Sequence, residues 1–348
     1  MRRRNEWMSV KQYRGVRAQG TLKGKPMRAI RVTQTGGPEQ LKVEDIAVPQ
    51  PGAGQALVKI AAAGVNFIDI YHRTGLYKLP LPFTPGQEAA GIVEAIGPSV
   101  EAVKPGDRVT YVGAPGAYAE YSLVPASSLI PVPAALDLKL AAAAMLQGMT
   151  AHYLTHSTYP LKSGDTCLVH AAAGGTGRLI TQMAKMLGAR VIGTTSTKDK
   201  AEEARRVGAD DMILYTEQDF EAEVKRLTAG RGVDVVYDSV GKSTWEKSLN
   251  CIRPRGMMVS FGNASGAVEP IAPLVLNQKG SLFLTRPKLG DYTASQEELH
   301  WRASDVLGWV ATNRLQLKVD REYSLQQAGQ AQEDLAGRKT SGKLLLVP

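Results

Sequence analysis

The run Leu168-Val169-His170-Ala171-Ala172-Ala173-Gly174-Gly175-Thr176-Gly177 holds the residues whose spacing says most about chemistry. An apolar strand, 166–170, enters a glycine-rich turn, and a helical segment, 178–187, follows at once. The pattern Ala172-x-Gly174-x-x-Gly177 stands in for the Gly-x-Gly-x-x-Gly of a dinucleotide-binding turn. Glycines let the backbone approach a pyrophosphate, and the following helix aims unpaired N–H groups and its positive dipole end at it. Hydride transfer with a nicotinamide dinucleotide is the chemistry this predicts. An acid about 20 residues further on would hold the ribose 2′-OH of NAD. The next strand, 190–194, ends instead in Thr195-Ser196, and Lys198 and Lys200 follow. Hydroxyls and a lysine suit a 2′-phosphate, so NADPH is expected. His170, inside the motif strand, reads as a satisfied core histidine.

The elements that must position this turn alternate. Strands are expected at 190–194, 211–214, 233–237, 256–261 and 281–284, with helices at 198–207, 220–228 and 244–251 between them. That order predicts an α/β domain with a doubly wound parallel sheet. Upstream, 27–33, 41–46, 55–62, 89–96 and 108–111 read as strands punctuated by Pro and Gly, a β-rich module. An Ala-rich helix over 138–154 links the two. After 290 the alternation ends in a helix at 296–311 and a final strand at 343–347, which is expected to return to the first module.

Composition narrows the classes. The chain has 348 residues and a formal net charge of +9, enough length for two cores. Within 1–26, eight basic residues face one acid, so the body carries only about +2. A near-neutral body argues against an extended nucleic-acid surface. The basic head reads as a disordered extension, a transit peptide or a tether, and the first fits best. No apolar run is long enough to cross a membrane. The two cysteines, Cys167 and Cys251, make no disulfide framework, which fits a reducing, cytoplasmic setting.

Further segments carry a family resemblance. They are Gly64-Val65-Asn66-Phe67-Ile68-Asp69, Gly75-Leu76-Tyr77, Glu88-Ala89-Ala90-Gly91-Ile92-Val93, Gly106-Asp107-Arg108-Val109, the glycine run itself, Val235-Val236-Tyr237-Asp238-Ser239-Val240-Gly241, Ser260-Phe261-Gly262-Asn263 and Asn277-Gln278-Lys279-Gly280-Ser281-Leu282. In this order they resemble the medium-chain dehydrogenase/reductase superfamily. Within it the match is to the zinc-free NADPH:quinone oxidoreductases, the zeta-crystallin-like group, above all its bacterial members. The resemblance runs from 27 to 348.

It implies a GroES-like catalytic domain from 27–148 and 290–348, and a Rossmann domain over 149–289. It implies that Asn66, Asp69, Tyr71 and Tyr77 lie near the nicotinamide and acceptor, with Asn66 and a tyrosine hydroxyl donating to the acceptor oxygen. Each tyrosine equally reads as a packed aromatic. For the cofactor it implies Asn66, Thr150 and Tyr153; Gly174, Gly175, Thr176 and Gly177 at the pyrophosphate; Ser196, Lys200, Tyr215 and Arg338 at the 2′-phosphate; and Ser239, Phe261, Gly262 and Asn263 at the nicotinamide. Thr176 departs from the family's usual Val, and Ala264 from a relative's Ser. Zinc relatives carry Cys and His where this chain has Asn66 and Gln87, so no metal is expected. Glu88 reads as a salt bridge or cap. The acceptor is expected to be a quinone, or else an enone. A crystallin-like or RNA-binding role is the reading from another class. The family's habit implies a homodimer through Rossmann sheet edges, here 281–284.

Overall fold

The computed structural model describes residue 22 and residues 24–348, so almost all of the basic head falls outside the described residues. Six strands form a parallel sheet in the order Asp211–Leu214, Arg190–Thr195, Thr166–Val169, Val233–Asp238, Ile252–Ser260, Phe283–Thr285. The central pair, TCLV and VDVVYD, is buried at every residue, as a sheet covered on both faces requires. Strand order reverses between these two, and a crevice opens beyond their carboxyl ends, where doubly wound sheets bind ligands.

A second sheet joins both ends of the chain. Lys343–Val347 pairs antiparallel with Gln55–Val65, setting Leu345 opposite Gly64 and Leu344 opposite Val65. The return of the tail to the first module is thus observed. Val319–Ser324 lies parallel beside the tail. On the other side, Gln55–Val65 pairs with Glu88–Ile96 and Tyr121–Pro125.

Leu138–Tyr153 is the hinge of the architecture. Asp137 starts it by accepting from Lys139 N–H at 2.7 Å. Ala141 to Ala144 are fully buried, and such small side chains let the helix lie against the second sheet. The expected boundary between 148 and 149 therefore falls inside one continuous helix. At Gly148 a Cβ would stand 2.6 Å from Val306, so Gln296–Ala311 crosses in close contact.

Several boundaries moved. The motif helix begins at Gly175, not at 178, because the glycines themselves form its first turn. The edge strand is Phe283–Thr285, two residues late, because Gly280 and Ser281 turn through φ of 107° and 56°. Helices Phe67–Thr74, Leu274–Gln278 and Ala328–Ala336 and strands Tyr121–Pro125 and Val319–Ser324 had no sequence expectation.

Candidate active site

A cleft of about 840 Å³ runs between the two halves. Its floor is the glycine turn. A Cβ at Gly177 would collide with the Ala171 carbonyl oxygen, and one at Gly175 would collide with the Gln147 amide. Only glycine fits at 177, where the contact is backbone; at 175 a side chain would have to displace the Gln147 amide. Gly174 caps helix Gly175–Met186 with no side chain over its N–H groups, so they face the cleft beside Thr176. Ala171 holds a left-handed φ of 52°, a strained turn such as functional sites retain. His170 is spent in the core, with Nδ1 bonded to Thr194 at 2.9 Å and Nε2 to Ser248 at 2.8 Å.

One end of the cleft is built for an anion. Ser196, Lys200, Tyr215 and Arg338 all line it. Lys200 Nζ donates to the Arg338 carbonyl at 2.8 Å, and the Arg338 guanidinium reaches the Tyr215 hydroxyl at 3.5 Å. These two cations have no carboxylate partner among the described residues. Lys198 is exposed and outside the cleft.

The other end is aromatic. Thr150 and the buried Tyr153 face it from helix Leu138–Tyr153, and Ser239, Phe261 and Gly262 from the parallel sheet. Tyr71 and Tyr77 meet edge-to-face, 5.3 Å between ring centres. The Tyr71 oxygen accepts from Asn263 N–H at 3.0 Å, which leaves its own proton free to donate. Burial raises the Tyr71 phenol above its ordinary value, with the Asn263 N–H opposing, so it stays a neutral hydroxyl. Asn263 does not itself line the cleft; it meets Tyr71 through its backbone N–H, and its side-chain oxygen accepts from Arg286 Nη2 at 3.1 Å. Arg286, just past the edge strand, donates to the Tyr77 hydroxyl at 3.2 Å.

Two expected acceptor-site residues need correcting. Asn66 borders the cleft, but its side chain points into a buried ionic cluster. Its Oδ1 accepts from Lys343 at 2.7 Å, and its Nδ2 donates to Glu88 at 2.7 Å and to the Gly64 carbonyl at 3.3 Å. With both amide hydrogens used, it has none for an acceptor. Asp69 does not reach the cleft at all. As the third residue of helix Phe67–Thr74 it accepts from Asn66 N–H at 2.9 Å, and from the Tyr118 hydroxyl at 2.9 Å. Desolvation pushes its carboxyl up to about 7, against the pull of those two bonds. Both residues hold the helix that carries Tyr71.

Glu88 is fully buried, ion-paired to Lys343, and its Oε2 accepts from Leu146 N–H at 2.6 Å. The salt-bridge reading of Glu88 is therefore observed.

Two family models match this chain: an alcohol dehydrogenase GroES-like domain over 52–134 and a zinc-binding dehydrogenase domain over 175–297. A quinone oxidoreductase of Pseudomonas aeruginosa is 44% identical over 92% of this chain and 99% of its own. The chain belongs to the quinone oxidoreductase family of the medium-chain dehydrogenases/reductases. A Burkholderia 2-haloacrylate reductase is also 44% identical, over 91% of this chain and 98% of its own. The solved structure of the Escherichia coli quinone oxidoreductase complexed with NADPH superposes with a TM-score of 0.90 at 43% identity, covering 92% of this chain and all of that one.

Zinc, named in one family model, does not fit these residues. Asn66 and Gln87 are neutral amides, and the Glu88 carboxylate holds an ammonium between itself and Asn66. A zinc site needs three thiolate, imidazole or carboxylate ligands. NADPH fits well: glycines where a Cβ would collide, and, among the described residues, helix N–H groups with no side-chain cap and a cation pair with no carboxylate partner at the far end.

Sequence reasoning missed Lys343 and Arg286. Lys343 lies 277 positions from Asn66, and only the pairing of the tail strand reveals it. Arg286 follows an edge strand that was placed two residues early.

Proposed function

We propose that this protein reduces quinones with NADPH by hydride transfer, without a metal. The observation that carries the proposal is the Lys343–Glu88–Asn66 cluster beside an otherwise complete dinucleotide cleft. A fixed ammonium held by its own carboxylate polarises no substrate, so the acceptor must already be electron-poor. Bound NADPH would supply the hydride. The chain supplies binding and orientation. Ser196, Lys200, Tyr215 and Arg338 hold the 2′-phosphate, and the glycine turn holds the pyrophosphate. Thr150, Tyr153, Ser239, Phe261 and Gly262 seat the nicotinamide. The Tyr71 hydroxyl donates to the acceptor oxygen as negative charge builds there.

The test is oxidation of NADPH and NADH, followed at the nicotinamide absorbance, with quinone and enone panels. Fast turnover of quinones with NADPH, slow turnover with NADH, and no loss on adding a chelator are expected. A rate that disappears with chelator and returns with zinc would overturn the metal-free reading.

The buried, unpaired thiols Cys167 and Cys251 fit a reducing, cytoplasmic setting, and no described helix is long and apolar enough to cross a membrane. Phe283–Thr285 ends the parallel sheet, with Phe283 60% and Leu284 38% exposed and no described strand paired on its outer side. A second copy pairs there. Phe283→Lys should shift sedimentation from dimer to monomer. An unchanged profile would move the interface elsewhere.

A further inference from the structure

One cation at the aromatic end of the cleft has no carboxylate partner among the described residues. Five cations line the cleft: Lys200, Lys247, Arg286, Lys288 and Arg338. Lys200 and Arg338 belong to the phosphate end. Lys247 is paired with Asp219 at 2.8 Å and Lys288 with Asp291 at 3.2 Å. Asp219 is the one carboxylate among the described lining residues. Arg286 is left. Its Nη1 donates to the Gly262 carbonyl at 3.0 Å and to Ser260 Oγ at 3.3 Å, and its Nη2 to the Tyr77 hydroxyl at 3.2 Å. Nη2 also donates to the Asn263 side-chain oxygen at 3.1 Å. All of these partners are neutral, and Nε–H bonds to none of the described residues.

Position matters as much as charge. The guanidinium touches the Tyr77 hydroxyl, and Tyr77 packs on Tyr71, which packs on Phe67 at 6.2 Å. A flat conjugated acceptor seated on these rings has its rim against Arg286. Because the Tyr77 oxygen accepts from Arg286, its own proton is free. Arg286 Nε–H and Tyr77 O–H together offer two donors to one anionic group. A planar guanidinium matches carboxylate and sulfonate geometry better than an ammonium does.

We propose that the acceptor site selects electron-poor quinones or olefins that carry an acidic substituent, with Arg286 as the specificity-determining residue. The proposal rests on the hydride-transfer reading above. The chemistry is unchanged by it: the acceptor gains a hydride and a solvent proton, the dinucleotide is oxidised by two electrons, and the acidic substituent passes through untouched.

The experiment compares matched pairs on the full chain: 1,4-naphthoquinone with its 2-sulfonate, and 2-chloroacrylate with its methyl ester. The readout is the ratio of kcat/KM, anionic over neutral, within each pair. The same ratio is taken from Kd values on the NADP+-loaded protein by calorimetry. The wild type should favour the anion in at least one pair. Arg286→Gln should lower the ratio about 10- to 100-fold, the size of one charge-assisted hydrogen bond. Arg286→Lys should fall between, keeping the charge and losing the fork. A wild-type ratio near one in both pairs, or one that Arg286→Gln leaves in place, overturns the proposal. Failure of the hydride-transfer reading looks different: the wild type turns over neither member of either pair, while the Kd ratio still reports on Arg286.

Discussion

Lys343→Met should destabilise the fold by about 3–5 kcal/mol, the usual cost of removing one partner from a buried ion pair. Glu88 would keep its charge with no compensation, because both residues are almost wholly buried: Lys343 is 2% exposed and Glu88 0%. The remaining partners of Glu88 are two N–H donors, Asn66 Nδ2 and Leu146 N. Two neutral donors do not replace an ammonium in a low-dielectric site. The thermal midpoint should fall by roughly 5–10 °C. Lys343→Met combined with Glu88→Gln should recover most of the loss, since the orphan charge is then gone. Calorimetry of the two variants decides the matter. A single variant within about 1 kcal/mol of wild type would mean that the buried ion pair adds little net stability. Loss of the ammonium also frees the Asn66 Oδ1, so helix Phe67–Thr74 should loosen and hydrogen exchange around Tyr71 should quicken.

This cluster marks where the sequence stops being legible. The glycine turn, the alternation behind it and the terminal strand could all be read locally, because each depends on residues a few positions apart. The cofactor end followed for the same reason: an acid is missing within a short, countable distance of the glycines. The acceptor side depends on contacts between 66, 88 and 343, and on which way one amide turns. Asn66 reads as a donor toward the acceptor only while Lys343 is ignored. The resemblance puts Asp69 near the acceptor, and no sequence signal places 67–74 in a helix. Once those residues form a helix, a carboxyl at its third position accepts from the N–H of the capping residue Asn66, a capping-box geometry. That helix is eight residues long, follows directly on strand Gln55–Val65 and runs into the Pro- and Gly-rich segment 75–86, so periodicity alone could not expose it. Arg286 was hidden differently. Its neighbours, Ser260 Oγ, the Gly262 carbonyl and Tyr77, come from a parallel strand and from the other half of the chain.

Lys200→Glu should reverse the cofactor preference. The variant places a carboxylate near where NAD-preferring relatives of this fold carry one, and removes an ammonium from the anion end. Lys200 now donates to the Arg338 carbonyl at 2.8 Å, which ties the two cations into one cradle. Arg338 itself sits at a left-handed φ of 55°, a conformation uncommon outside glycine. That strain is tolerable only if the surrounding contacts hold it, and the Lys200 bond is one of them. Losing one charge-assisted contact weakens NADPH about 10- to 100-fold, and the introduced charge adds repulsion against a phosphate carrying nearly two charges. The Kd for NADPH should therefore rise by roughly 100-fold or more, while that for NADH changes only a few-fold and improves if the introduced carboxylate reaches the ribose. Nicotinamide fluorescence at constant ionic strength measures both. Added salt should narrow the wild-type difference between the two cofactors, since this end of the cleft is exposed and screened. A parallel loss for NADPH and NADH would mean that Lys200 supports the Arg338 segment and takes no part in reading the 2′-phosphate.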